Sequence, residues 1–121
     1  MDKVVHFEIP FDDKERTEKF YSEVFDWKLN PVPEMEYTMV HTVEVDDQFM
    51  LKEGGAINGG LYQRNENLDQ NPVIVINAEN LDEKLEQIKN AGGEIFKEKR
   101  RVGDMGRYAQ VKDTEGNIIG V

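Results

Sequence analysis

Hydrophobic and polar residues alternate from Val4 to Ile9, with Val5, Phe7 and Ile9 on one side and Val4, His6 and Glu8 on the other. This is the period of a strand with one buried face, and its apolar side predicts a helix laid against it. Asp12-Asp13 can accept hydrogen bonds from free first-turn amides. Thr17, Phe20, Tyr21 and Val24 then recur at helical spacing, which predicts a packed helix running to about Val24. Trp27-Lys28-Leu29 reads as an extended exit, and Pro31-Val32-Pro33 bars a following helix because proline removes a donor and restricts its predecessor. Tyr37 to Val45 is predicted as a β-branched and aromatic strand turning at Asp46-Asp47, with Phe49 to Lys52 as a short return. Gly54-Gly55 and Gly59-Gly60 bracket Ala56-Ile57-Asn58, and Leu61 to Arg64 closes this half. Glycine pairs there allow a turn or bulge, or the close approach of another backbone or a ligand.

The second half repeats the theme. Val73-Ile74-Val75-Ile76 is a strand, Asn80 starts a helix that buries Leu81, Leu85 and Ile88, and Gly92-Gly93 stops it. Glu94 to Lys99, Arg107 to Lys112 and Ile118 to Val121 are three further strands, the last two joined by the turn Asp113-Thr114-Glu115-Gly116-Asn117. Superposing the helix starts Asp13 and Asn80 gives an offset of 67 residues (80 − 13), which also aligns His6 with Val73. The expectation is an α+β protein: one domain of 121 residues made of two βαβββ modules, about 1–64 and 72–121, joined by a polar linker at 65–71. The modules are expected in a pseudo-twofold arrangement, forming a curved mixed sheet around a cleft.

Composition narrows the possible partners. A formal net charge of −10 and an isoelectric point near 4.6 disfavour nucleic acid and anionic membranes. With no cysteine there is no thiolate nucleophile, disulfide or Cys-type metal site. The sequence has no secretory leader pattern and no window of about 20 apolar residues to span a bilayer, so a cytoplasmic location is expected.

His6-Phe7-Glu8-Ile9-Pro10 followed by Asp12-Asp13 and Phe20-Tyr21, then Asn58-Gly59-Gly60-Leu61, Gly92-Gly93, Met105-Gly106 and Asp113-Thr114-Glu115-Gly116-Asn117, make an ordered set. On these residues nearly the whole chain resembles the vicinal oxygen chelate superfamily, which includes glyoxalase I, bleomycin-resistance proteins, fosfomycin-resistance enzymes and extradiol dioxygenases. It is most similar to small stand-alone glyoxalase-like members. The resemblance implies paired βαβββ modules, a curved sheet around a cleft and, commonly, a homodimer. In metal-dependent members it further implies a divalent ion held by His or Gln and Glu from the first and last strands of each module. His6 matches the first of these positions. Val73 stands at the second module's counterpart, Gly120 stands where the last strand would offer a carboxylate, and the segment near Gly60-Leu61-Tyr62 shows no Glu or His. One imidazole does not make a divalent-ion site, so no cofactor is expected: a divalent metal is not supported by the ligand set.

His6 therefore has three readings: a remnant metal ligand, a cleft-lining hydrogen-bond partner or general base assisted by Glu8, or a satisfied histidine without chemistry. His41 lies on a predicted central strand and could complete a makeshift site with Glu44 or Glu8, but it differs in parity from Glu44, so those two should point opposite ways. The second module's wall, Val73, Val75 and Asn77, is mostly hydrocarbon and suits a hydrophobic guest. Trp27, Tyr37, Tyr62 and Tyr108 offer flat surfaces and Met39, Met50 and Met105 adaptable ones; Trp27, Tyr37, Tyr62, Met105 and Tyr108, with Val73 and Val75, are the candidate ligand-binding residues. The basic run Lys97, Lys99, Arg100 and Arg101, with Arg107 beyond, reads either as an anion receiver or as a solvated strand paired with acids. The function expected is the binding of a small organic molecule, for instance an aromatic one, in an inter-module or inter-subunit cleft of a homodimer. The rivals are a metal-assisted lyase or isomerase of the lactoylglutathione-lyase type, with His6 and Glu8 catalytic, and a structural or regulatory dimer without a ligand.

Overall fold

The computed structural model describes residues 1–65, 71–104 and 106–121. It divides into two compact units, His6–Pro72 and Val73–Val121, the latter joined by Met1–Val5. Each is a βαβββ module, and the protein is α+β.

In the first unit the elements are β1 (Val4–Phe11, which begins in the N-terminal stretch), α1 (Lys14–Phe25), β2 (Lys28–Val32) and, after a 3-10 turn at Pro33–Met35, β3 (Tyr37–His41) and β4 (Asn58–Gln63). Helix α1 starts where the sequence predicts, because the Asp13 carboxylate accepts from the Arg16 N–H at 2.9 Å. The sheet order is β2-β3-β4-β1, with β1 and β4 parallel and the other pairs antiparallel. Pro31 is tolerated inside a strand because β2 is the edge of this set, where a missing N–H breaks no ladder.

Phe11, Val40 and Leu61 form the core of this unit, with Phe7, Ile9, Tyr21, Trp27 and Leu29 packed against it. The expected alternation of β1 thus appears: Phe7 and Ile9 face the helix side, as does buried Thr38, whose hydroxyl donates to Glu18 of α1 at 2.7 Å. Two expectations are corrected here. Helix α1 buries none of its residues fully, and Phe20, Val24 and Phe25 remain 52, 59 and 54% exposed. Tyr21 stacks flat on Trp27 at 4.8 Å and fills the space beneath the helix, leaving Phe20 edge-on to Tyr21 at 5.1 Å rather than in the core. The third strand also ends at His41 instead of Val45. The Asn58 side-chain carbonyl accepts from both Thr42 N–H and Val43 N–H, and a side chain that takes these amides ends the ladder. The predicted return survives as a single bridge between Val45 and Leu51.

The second unit holds β5 (Val73–Ile76), α2 (Leu81–Asn90), β6 (Glu94–Arg101), β7 (Arg107–Lys112) and β8 (Ile118–Gly120). The Asn80 side chain accepts from the Glu83 N–H at 3.2 Å, repeating the cap of Asp13. Leu81 and Leu85 are buried with Ala109 and Val111, and Ile88, Ile95, Ile119 and Val121 close around them. The strand order is β5-β8-β7-β6. Both modules therefore place the first strand parallel to the last and hang the third and second outward from it. The duplication read from helix spacing recurs in strand pairing.

Candidate functional site

Strand register arranges the face of the first sheet opposite α1 into rows. Asn30, Met39, Gly60 and Glu8 lie side by side across β2, β3, β4 and β1, and Val32, Tyr37, Tyr62 and Pro10 form the next row. On the other side come Lys28 beside His41 and Asn58 beside His6. Carrying the β3–β4 register one residue further sets His41 opposite Asn58. His6, Glu8, Tyr37 and Tyr62, four of the residues expected to do chemistry or bind a ligand, therefore share one face.

The contact that organises this face runs diagonally. His6 Nε2 and Tyr37 Oη are 2.7 Å apart, with the two rings only 14° from parallel. Gly60 makes this possible: the tyrosine ring lies over it, and a Cβ there would fall 1.8 Å from both Cζ and Oη of Tyr37. Burial pushes the His6 imidazole below the ordinary histidine range, and the Glu8 carboxylate opposes that only in part. Burial thus favours the neutral ring, which can act as donor at one nitrogen and acceptor at the other.

The same device recurs in the second module. Register puts Lys97, Gln110, Gly120 and Val75 in one row, the counterpart of Asn30, Met39, Gly60 and Glu8. A Cβ on Gly120 would meet Tyr108 at 2.7 Å and Val75 at 2.9 Å. Tyr108 stands two residues before Gln110 just as Tyr37 stands two before Met39, so the two tyrosines are topological equivalents. The imidazole, however, has no counterpart. Val75 occupies the place of Glu8, and Val73, only 2% exposed, that of His6.

Other expected residues lie elsewhere. Trp27 is on the helix side, stacked on Tyr21 and 5.7 Å from Phe7, and is not brought together with His6. Met105 lies outside the described residues, as does most of the expected linker. His41 Nδ1 is 3.0 Å from Asn30 Nδ2, while Glu44 lies beyond the end of β3, where strand parity does not apply, and pairs with Lys28 at 2.6 Å and Lys52 at 3.7 Å. Sequence reasoning weighs His41 with Glu8 but does not assign Asn30 and Asn58 to the His6 face. The signal available was the shared parity of Tyr37, Met39 and His41, but it becomes informative only when the β3–β4 register is known. A separate hollow of ≈ 390 Å³ opens at the start of α1, with Arg16, Phe20, Tyr21 and Arg64 among its lining. Among the described residues, no group of three or more His, Cys, Asp or Glu side chains is placed to hold a metal ion. No helix of the described residues is long and apolar enough to cross a membrane.

Residues 3–42 match the family "Bleomycin resistance protein-like N-terminal". No curated protein matches the chain. Solved structures do. A hypothetical protein from Bacillus halodurans aligns over 98% of this chain and 91% of its own at 15% identity, with a TM-score of 0.66. A methylmalonyl-CoA epimerase variant from Streptomyces coelicolor in complex with 2-nitronate-propionyl-CoA aligns over 98% and 94% at 19% identity, TM-score 0.66. Methylmalonyl-CoA epimerase from Mycobacterium tuberculosis aligns over 97% and 84% at 15% identity, TM-score 0.67.

Proposed function

We propose that this protein, which has the vicinal oxygen chelate fold and resembles that superfamily's glyoxalase-like and bleomycin-resistance-like members, binds a small organic molecule on the sheet face that carries His6, Glu8, Tyr37 and Tyr62. The observation that carries this reading is the His6–Tyr37 pair seated over Gly60. A half-buried neutral imidazole, steadied by a phenol and flanked by a second tyrosine, offers one orienting hydrogen bond beside flat apolar surface. That combination suits an uncharged or aromatic guest. The enzyme of the Streptomyces structure holds an acyl-CoA analogue, so acyl thioesters belong among the compounds to be tried.

The residues present do not fit a metal held in the superfamily's manner, and the proposed binding uses none. The first-strand imidazole is engaged by Tyr37. The last-strand positions Gly60 and Gly120 have no side chain, and tyrosine rings occupy the space one would enter. Val73 and Val75 supply only hydrocarbon. A divalent ion needs several nitrogen or oxygen donors converging on one point.

The reading further includes a homodimer in the cytoplasm with no nucleic-acid or membrane partner. The exposed Phe20, Val24 and Phe25 support self-association, and the charge of −10 argues against polyanionic partners.

A thermal-shift screen of uncharged aromatic metabolites, antibiotics and acyl thioesters tests the binding. A true ligand at 100 times its dissociation constant adds about 2.7 kcal/mol of stability, and that gain should shrink in His6→Ala and Tyr37→Ala. Absence of a shift with every compound class would overturn the reading in favour of a purely structural role. Stoichiometric metal in protein purified without chelator, lost in His6→Ala, would overturn it in favour of the lyase or isomerase. Sedimentation of wild type and Phe25→Ser tests the dimer.

A further inference from the structure

The basic run of the second module divides between the two faces of its sheet. Lys99 and Arg107 reach across to α2, where Lys99 Nζ bonds one Asp82 oxygen and Arg107 Nη2 lies 3.6 Å from the other. That pair ties strand to helix. Lys97 and Arg100 belong to the opposite face, where Lys97 registers with Gln110 and Arg100 with Tyr108. The Arg100 guanidinium stands 6.0 Å from the Tyr108 ring centroid, and Gln110 Nε2 donates to Tyr108 Oη at 3.1 Å. Lys112, two residues along β7 from Gln110 and therefore on the same face, holds its Nζ 5.3 Å from the Phe96 ring. Among the described residues neither Arg100 nor Lys112 makes an ion pair. Gly120, next to Gln110, completes the row.

In a chain of net charge −10, three cations on one sheet face, with a phenol, a carboxamide and a glycine between them, are an uneven distribution of charge. The corresponding positions of the first module are Asn30 for Lys97, Val32 for Arg100 and His41 for Lys112, so the cations belong to this module alone. Glu94, in register with Lys112, is the acidic residue that register places in these rows among the described residues. A guanidinium over an aromatic ring keeps its donor edge available for the two oxygens of a carboxylate or phosphate, and lysine serves as a point charge beside it.

We propose that this face of the second module binds the oxyanion of an organic ligand, a carboxylate or a phosphate, with Arg100 and Lys112 as its main charge partners, Lys97 beside them, and Tyr108 and Gln110 as orienting groups. The proposal goes beyond the small-molecule reading of the first module and concerns the second module by itself.

Nitrogen-15 NMR titrations of the full chain at low salt test it, with inorganic pyrophosphate as the phosphate probe and acetate as the carboxylate probe. The expected result is saturable shifts at the Tyr108, Gln110 and Gly120 amides with at least one probe. Affinity should weaken about tenfold in Arg100→Gln, as loss of one charge-assisted hydrogen bond implies, and further in the Arg100→Gln/Lys112→Gln pair. Lys99→Gln removes the same charge from the helix face and should leave binding unchanged. No saturable shift with either probe, or equal weakening by Lys99→Gln, overturns the proposal. Phenol, titrated separately, reports on the first module through the His6 and Tyr37 resonances. Shifts there without an anion response at Gly120 would leave the earlier reading intact and sink this one; the reverse pattern would sink the earlier reading.

Discussion

The Tyr37 ring lies directly across Gly60, with its Cζ and Oη each 1.8 Å from where a Cβ on that residue would sit. Any side chain at position 60 must therefore evict the tyrosine and break its bond to His6. Gly60→Ala should destabilise the protein by about 1–3 kcal/mol, the usual range for overpacking a filled site, measured by urea unfolding. Gly120→Ala should do less harm, because its Cβ would meet Tyr108 at 2.7–2.8 Å and Val75 at 2.9 Å, a smaller overlap than the 1.8 Å at Gly60. Equal losses at the two glycines would contradict this account.

Tyr37→Phe keeps the ring over Gly60 and removes only the hydroxyl. The loss expected is that of one hydrogen bond, about 0.5–1.5 kcal/mol, together with a change in the His6 ring resonances. Unchanged His6 signals in the phenylalanine variant would mean that the 2.7 Å contact does not persist in solution.

The pH response follows from burial of His6. Its folded pKa lies below the ordinary 6.5, so as pH falls the unfolded chain takes the proton first. Stability contributed by the neutral ring is complete above pH 6.5 and is lost as pH falls from there through the folded pKa. NMR titration should place the His6 midpoint below 6.5. His6→Gln should flatten the dependence of unfolding free energy on pH in that window, and a midpoint above 6.5 would refute the desolvation argument.

Both helix starts depend on a side-chain cap. Asp13→Ala and Asn80→Ala each remove an acceptor from a first-turn amide and should each cost about 0.5–2 kcal/mol. The two sites lie in different compact units, so the double variant should lose the sum within about 0.5 kcal/mol. Chemical denaturation of the three variants checks it.

Much of this was legible because local rules govern it. The caps at Asp13 and Asn80, the stop at Gly92-Gly93 and strand β7 from Arg107 to Lys112 follow from hydrogen-bonding side chains and spacing that act within a few residues. The misread segments are those where a distant partner intervened. Asn58 ended β3 at His41 by taking the amides of Thr42 and Val43. The aromatic stack of Tyr21 on Trp27 left Phe20 and Val24 outside the core. Neither effect is encoded in the periodicity of the segment it altered.

The sequence by itself determined the duplicated βαβββ plan, the face of β1 that bears His6, and the hydrocarbon at its counterpart Val73, because alternation and helix-start spacing are properties of the chain alone. Tertiary structure decided what the imidazole touches and how the basic run is used. Tyr37 meets His6 only once β3 and β4 pair in one register with Gly60 beneath the ring. Lys99 turns to Asp82 while Arg100 covers Tyr108 because sheet register and a packed helix assign the two faces. Those contacts join residues far apart in sequence, and cross-strand register, which fixes them, is a property of the folded sheet.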